Sequence, residues 1–139
     1  MTALTAAEVE RIIRDGVAES AERQFTIEAI TPRGALARFP FHPNTLRSGG
    51  TLSGPTMFTL ADATMYAAVL GHLGDVRMAV TSELSIRFLR RPPPRDLIAR
   101  AELLRVGRRQ AVIEVRIHAD GDDDPVAVAL GTYALPSAD

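Results

Sequence analysis

The alternation of apolar and polar residues along the chain predicts a small number of helices and strands. Apolar residues at helical spacing follow the capping-box sequence Thr5-Ala6-Ala7-Glu8 and predict an N-terminal helix that ends near Ala21. Two-residue alternation and short apolar runs predict six strands, over residues 25–30, 35–41, 76–89, 97–106, 110–119 and 126–135. The turn sequence Thr31-Pro32-Arg33-Gly34 joins the first two strands as a hairpin, and an irregular loop over 42–53 follows.

The longest apolar stretch lies between this loop and the third strand. It predicts a helix over 54–73 that has no polar face, with Pro55 in its first turn, and such a helix is a buried one. Because the strands outnumber the helices and are joined mostly by hairpins, we predict an α+β fold in which a curved antiparallel sheet wraps around this helix. One domain is expected over 1–139, with the N-terminal helix in 1–22 and the sheet and central helix in 23–135.

The strand predicted over 76–89 places its apolar residues on one side. Arginine, threonine, serine and glutamate occupy the other side, which predicts a strand with one buried face. The apolar set is Met78, Val80, Leu84, Ile86 and Phe88. We expect a second subunit to cover the apolar surface that one sheet leaves exposed on the central helix.

One carboxylate interrupts the apolar central helix. Asp62 is the only charged residue between Arg47 and His72, and an unpaired carboxylate inside a buried helix costs several kcal/mol. Such a cost is typical of functional sites, so Asp62 is the first candidate for chemistry. The alternative is a structural aspartate that bonds a neighbouring backbone group, although its position in the middle of the helix is far from the N-cap.

Composition and charge narrow the chemistry. The chain has no cysteine, which excludes disulfides and thiolate chemistry, and its three histidines stand apart in sequence, so we predict no metal and no cofactor. All sixteen basic residues are arginine, and ten of them lie between Arg77 and Arg116 against four acids, a surplus that suits phosphate groups. A net charge of -1 and few aromatic residues argue against a nucleic-acid partner. A polar N-terminus and a short, Asp62-containing central helix argue against a membrane partner and favour a cytoplasmic protein.

Several segments resemble a known family. The loop Arg47-Ser48-Gly49-Gly50-Thr51-Leu52-Ser53-Gly54, followed by Leu60-Ala61-Asp62, resembles the hotdog-fold acyl-CoA thioesterases of the phenylacetate-pathway type. Segments of the C-terminal half are also similar to that family: Ala79-Val80-Thr81, Phe88-Leu89, Gly107-Arg108-Arg109 and Gly131-Thr132-Tyr133. The resemblance implies a hotdog fold, an acyl-CoA substrate, no cofactor, and a homodimer or a dimer-of-dimers tetramer.

The resemblance also bears on single residues. Asp62 matches the aspartate of the family, and Thr81 matches a hydroxyl residue that helps this aspartate to hold water, if one inserted residue is allowed. Strand alternation would instead put Ser82 on the face of Leu84, so Ser82 is the alternative to Thr81. The chain departs from the family at two positions. Arg47 lies where the family has an asparagine, and Ser53 lies where the family has a histidine.

Thioester hydrolysis needs a base or nucleophile and a donor for the oxyanion. Asp62 supplies the first, and the N–H of Gly54 at the helix N-terminus supplies the second, with the Ser53 hydroxyl as a further donor. Eight residues of helix separate Gly54 from Asp62, roughly 12 Å, so one substrate carbon needs these groups from two protomers. We therefore predict an intersubunit site in a dimer.

The remaining candidates would bind the substrate. Asn44 and Arg47 could contact it from the loop, although ordinary solvated loop residues explain them equally well. Other residues would line an apolar acyl pocket or meet the phosphates of coenzyme A: Phe58, Met65 and Tyr66 for the pocket, and Arg90, Arg91, Arg108 and Arg109 for the phosphates.

Two further functions stay open. The first is a non-catalytic protein that binds acyl-CoA or a small aromatic acyl group, because the histidine and asparagine of the loop are missing. The second is a hotdog dehydratase, which pairs a histidine with an acid. It is disfavoured because no histidine lies beside Asp62 on the central helix.

Overall fold

A computed structural model describes residues 2–16, 25–41, 46–47 and 51–137. Two helices and eight strands form in these ranges. In chain order they are α1 (Ala6–Gly16), β1 (Thr26–Thr31), β2 (Gly34–Phe39), β3 (Leu46–Arg47), β4 (Thr51–Leu52), α2 (Gly54–Leu73), β5 (Val80–Phe88), β6 (Leu97–Val106), β7 (Gln110–Ala119) and β8 (Pro125–Ala134).

Six of the strands form one antiparallel sheet in the order β1-β2-β6-β7-β8-β5. The inner face of the sheet packs on α2, and the predicted hotdog architecture is confirmed. Inner-face residues of the central strands are fully buried, among them Ile113, Val115 and Ile117 of β7. The apolar side chains on the inner face of these strands therefore form one side of the core, and α2 forms the other.

The predicted capping box begins α1. The Thr5 backbone N–H donates to Glu8 Oε1 at 3.0 Å, and the Glu8 N–H donates back to Thr5 Oγ1 at 3.2 Å. The predicted end of this helix near Ala21 lies outside the described residues, which follow the helix to Gly16. The predicted irregular loop differs from the structure in one respect, because β3 and β4 pair with each other inside it.

The central helix has the predicted bounds, and local chemistry accounts for both ends. Ser53 is the N-cap, and its side chain accepts a hydrogen bond from the Thr56 N–H. At the other end, Gly74 has a φ of 92°, and its N–H bonds to the Leu70 carbonyl. Ten residues of α2 are buried, whereas Phe58 is 41% exposed, so one part of the helix is not covered by the residues that the structure describes.

The strand predicted over 76–89 is shorter and less buried than expected. β5 begins at Val80, and this residue and Phe88 are 59% and 51% exposed. Leu84 and Ile86 are half-buried. The prediction of a buried face is wrong for the single chain because β5 is an edge strand, with β8 as its only neighbour among the described strands. Leu84, Ile86 and Phe88 lie on the inner side of the sheet, but the sheet ends beside them. Val80 lies on the outer side, because the next residue, Thr81, faces the central helix, so the predicted single apolar face does not include it.

Candidate functional site

Asp62 lies in the middle of α2 and faces two hydroxyl groups from the sheet. Thr81 Oγ1 donates a hydrogen bond to Asp62 Oδ1 at 2.7 Å, and the Tyr133 hydroxyl donates to the same oxygen at 2.6 Å. The expectation of an unpaired carboxylate is therefore wrong, since two donors compensate its partial burial. Within the described residues no group donates to the second oxygen, Oδ2, so this oxygen is free for chemistry.

A β-bulge in β5 decides which hydroxyl reaches Asp62. Thr81 pairs with Tyr133 and Glu83 pairs with Thr132, so Ser82 is an extra residue between them. The bulge puts Thr81 on the inner face together with Leu84, although two residues separate them. Ser82 points elsewhere, and its hydroxyl bonds to the Thr132 carbonyl at 3.1 Å. The geometry thus favours Thr81 over Ser82 as the partner of Asp62.

Tyr133 is the site residue that the sequence argument did not select. Its side chain is 3% exposed, and its ring stacks on Tyr66 with centroids 5.9 Å apart and planes 11° from parallel. Burial, followed by the negative charge of Asp62 and the hydrogen bond to it, raises the pKa of Tyr133 well above its usual range. A signal existed in the sequence, because Tyr133 is the one polar-tipped residue on a face of β8 that otherwise holds only alanine and glycine.

A second part of the site lies at the N-terminus of α2. An apolar groove of about 390 Å³ opens there, lined by Gly54, Pro55, Phe58, Thr59, Ile86 and Phe88. The Phe88 ring lies directly over Gly54, and a Cβ at this glycine would come within 3.2 Å of Phe88 Cζ. Glycine keeps this space open, so a carbonyl group can approach the helix N-terminus closely. Of the predicted residues, Gly54 and Phe58 lie here, and Phe88 and Ile86 were not predicted to do so.

Ser53 lies beside the groove, and its hydroxyl group caps the N-terminus of α2. Its hydroxyl oxygen accepts from the Thr56 N–H at 3.2 Å and lies 2.9 Å from Thr56 Oγ1. The Gly54 N–H makes no hydrogen bond within the described residues. It also lies at the positive end of the helix dipole, which suits a developing oxyanion.

The groove and Asp62 are two separate parts of one chain. Gly54 and Asp62 lie on the same continuous helix, and a rise of about 1.5 Å per residue puts them roughly 12 Å apart. The predicted separation therefore holds in the structure. One thioester carbon cannot touch both groups of one protomer.

The two other predicted pocket residues differ in their surroundings. Met65 is fully buried and packs against Gly131, where a Cβ would lie only 2.5 Å from the Met65 sulfur, so Met65 belongs to the core and not to an accessible pocket. Tyr66 is half-buried, stacks on Tyr133, and donates its hydroxyl to the Arg77 carbonyl at 2.9 Å. Tyr66 therefore forms a wall beside Asp62.

The predicted phosphate-binding arginines separate into two groups. Arg90 is engaged by its own chain, since its Nη2 donates to Asp122 Oδ2 at 2.9 Å and to the Asp124 carbonyl at 2.7 Å. These contacts do not support the prediction that Arg90 is free to bind a phosphate group. The acidic turn that follows β7 accounts for this pairing.

Arg108 and Arg109 lie in a different setting. Together with Arg105 they line a cavity of about 370 Å³ at the turn between β6 and β7. Within the described residues, the side chains of Arg91, Arg108 and Arg109 make no ion pair. These three guanidinium groups are therefore free to bind an anion. Asn44 lies outside the described residues, as does the side chain of Arg47.

The described residues contain no cluster of three histidine or acidic side chains that could hold a metal ion. No helix among them is long and apolar enough to cross a bilayer.

Comparisons with known proteins agree with this fold. The family model of the thioesterase superfamily matches residues 49–126. A crystal structure of an inferred thioesterase from a Silicibacter species has a TM-score of 0.86 and 34% identity, and the match covers 98% of this chain and 94% of that one. Zebrafish thioesterase superfamily member 2 has a TM-score of 0.82 at 20% identity, with 96% and 99% of the two chains covered, which is a likeness of fold alone.

A curated relative gives a partial match. This relative is a Saccharolobus solfataricus protein whose name describes it as an inferred esterase. The two sequences are 31% identical over 99 residues. The match covers 70% of this chain but only 64% of the relative, so the chain spans less than two thirds of that protein.

Proposed function

Because the chain belongs to the thioesterase superfamily, we propose that it hydrolyses acyl-CoA thioesters with medium-chain or aromatic acyl groups, as thioesterases of the phenylacetate-pathway type do. Family membership supports a thioester hydrolase. One observation carries the proposal further. Two hydroxyl groups hold one oxygen of Asp62, and no residue that the structure describes donates to the other, as a base or nucleophile in a fixed orientation requires.

The chemistry follows from the two parts of the site. As a general base, Asp62 Oδ2 takes a proton from water while the water oxygen bonds to the thioester carbon. The Gly54 N–H of the partner subunit donates to the oxyanion that forms. When the oxyanion collapses, the C–S bond breaks, and the thiolate takes the proton back from Asp62.

A nucleophilic route uses the same atoms. Asp62 Oδ2 attacks the thioester carbon, the C–S bond breaks to release the thiolate, and a mixed anhydride forms. Water then cleaves the anhydride and restores the carboxylate. Single-turnover hydrolysis in ¹⁸O-labelled water identifies the nucleophilic route when the first product acid is unlabelled. The nucleophilic route gives a first-turnover product acid with no new ¹⁸O if water attacks the aspartyl carbonyl, whereas the base route labels the product.

The edge strand offers a way to bring the two parts together. If β5 pairs antiparallel with β5 of a second copy, centred between Leu84 and Ser85, Thr81 of one copy lies opposite Phe88 of the other. Phe88 covers Gly54, and Thr81 bonds to Asp62, so this pairing brings Gly54 of one protomer towards Asp62 of the other. It would also cover exposed apolar residues of β5. We therefore propose a homodimer, alone or within a dimer-of-dimers tetramer.

The arginine cavity supports coenzyme A as the leaving group. The Arg109 carbonyl accepts from the Leu135 N–H at 2.8 Å, and Leu135 lies two residues beyond Tyr133. The cavity thus lies at the same end of the sheet as Asp62. Arg108 and Arg109 could bind a 3′-phosphate or pyrophosphate as bidentate donors.

The decisive experiment is a panel of acyl-CoAs with a thiol reagent that detects free coenzyme A. We expect release from apolar acyl-CoAs and its loss in Asp62→Asn, a variant of nearly the same shape. Release that persists in Asp62→Asn would contradict the proposed mechanism. Saturable binding of acyl-CoA without any release would instead favour the non-catalytic binding protein.

A further inference from the structure

We propose that Tyr133 is a positioning residue that, together with Thr81, holds Oδ1 of Asp62 and thereby selects Oδ2 as the reacting oxygen; this inference rests on the proposed function. Nothing in the resemblance described above assigns a role to this hydroxyl. The inference stands on the hydrogen bonds, the packing of the ring and the strand register.

The hydrogen bonds distinguish the two oxygens of the carboxylate. Both hydroxyl donors, at 2.6 Å and 2.7 Å, converge on Oδ1, while no described residue donates to Oδ2. The Tyr133 hydroxyl also lies 3.0 Å from the Asp62 carbonyl, but it has one proton, and the shorter contact is to the carboxylate. A carboxylate fixed at one oxygen cannot rotate freely, so the other oxygen keeps one direction.

The packing of the ring shows that Tyr133 itself cannot move easily. The ring is buried and stacks on Tyr66, whose own hydroxyl is fixed by the Arg77 carbonyl. On the other side, β8 lies between β7 and β5, with Ala111 and Thr81 as the partners of Tyr133. Both donors to Oδ1 therefore come from directly paired residues of neighbouring strands.

The phenol is also suited to remain a donor. Burial and the adjacent negative charge both favour its protonated form, so it carries its proton over the pH range in which an enzyme works. A hydroxyl that stays protonated holds the carboxylate but takes no proton from water. In this proposal the two hydroxyl groups orient the carboxylate, and Asp62 alone accepts and returns the proton.

The test compares Tyr133→Phe with a matched control, Thr64→Val. Thr64 is buried on the same helix, and its hydroxyl bonds to the Leu60 carbonyl at 2.6 Å without contact to Asp62. Each variant loses one buried hydroxyl and keeps the approximate shape of its side chain. We expect Tyr133→Phe to lower kcat at least about tenfold with KM within about twofold, and Thr64→Val to leave both within about twofold.

A second measurement does not depend on activity. A short hydrogen bond from a hydroxyl to a carboxylate gives a slowly exchanging proton resonance far downfield in the NMR spectrum. We expect this resonance in the wild type, and we expect its loss or a large upfield shift in Asp62→Asn. The Asp62→Asn spectrum tests the bond even if Tyr133→Phe fails to fold.

The outcomes separate the inference from the function on which it rests. A wild type that releases no coenzyme A from any acyl-CoA overturns the proposed function. An active wild type whose kcat is equally affected by Tyr133→Phe and Thr64→Val overturns the role of Tyr133. A raised KM at unchanged kcat, or no downfield resonance in the wild type, also overturns it.

Discussion

Two inactive variants should restore activity to each other if the site is shared between protomers. In Gly54→Val, the new side chain would crowd the Phe88 ring, since even a Cβ lies within 3.2 Å of it, and would fill the space for the thioester carbonyl. Asp62→Asn removes the base while keeping the side chain's size. Each homodimer should therefore be inactive for a different reason.

The size of the recovery follows from counting the sites. In a dimer with shared sites, a mixed pair contains one site with both defects and one site with none. Random pairing makes about half of the dimers mixed, so an equal mixture should regain roughly a quarter of the wild-type activity. If each site lies within one chain, every site in the mixed dimer carries one defect, and nothing is regained.

The assay is coenzyme A release after the two variants are unfolded, mixed and refolded, with native mass spectrometry to measure the mixed dimer. A matched control combines both substitutions in one chain and mixes it with wild type. Shared sites then leave roughly a quarter of the activity, from wild-type dimers alone, whereas sites within one chain leave roughly half. Mixtures that form heterodimers but stay inactive would refute the shared site.

Three further predictions concern the base, the arginine cavity and the packing of the sheet. Asp62→Ala should lower turnover at least about a hundredfold without dissociating the proposed dimer, as measured by initial rates and sedimentation, and unchanged turnover would contradict its role. Arg108→Ala combined with Arg109→Ala should raise KM for acyl-CoA but not for a short thioester without the nucleotide; equal losses on both would mean that these residues hold the fold. Gly34→Ala should cost about 1–3 kcal/mol in urea unfolding, because its Cβ would overlap the Ala101 carbonyl, whereas Gly107→Ala, which has room, should be nearly neutral.

The secondary structure was largely predictable from the sequence. The bounds of α2, β6 and β7 agree with the prediction, because capping residues and long regular alternation are local signals. The exposure of β5 was not predictable from its alternation. In a strand without a bulge, alternation shows which side chains share a face, but it does not show whether a neighbouring strand or a second chain covers them.

The candidate site was predictable in part for a similar reason. Asp62 stood out because its charge contrasts with an apolar helix. Its partners come from residues 19 and 71 positions further along the chain, and only the strand register brings them together. The choice between Thr81 and Ser82 depended on a bulge, which the pattern of residues in β5 did not indicate.

The bulge at Ser82 gives β5 one residue more than the strand that it pairs with, and this extra residue decides which hydroxyl reaches Asp62. In the same sequence without a bulge, simple alternation would turn Thr81 to the opposite face and Ser82 towards the central helix. Deleting Ser82 would remove the bulge but leave Thr81 on the face of Leu84, so this donor to the carboxylate would be kept. In this strand, a comparison of residue identities that allows no gap would therefore assign the wrong hydroxyl to the site.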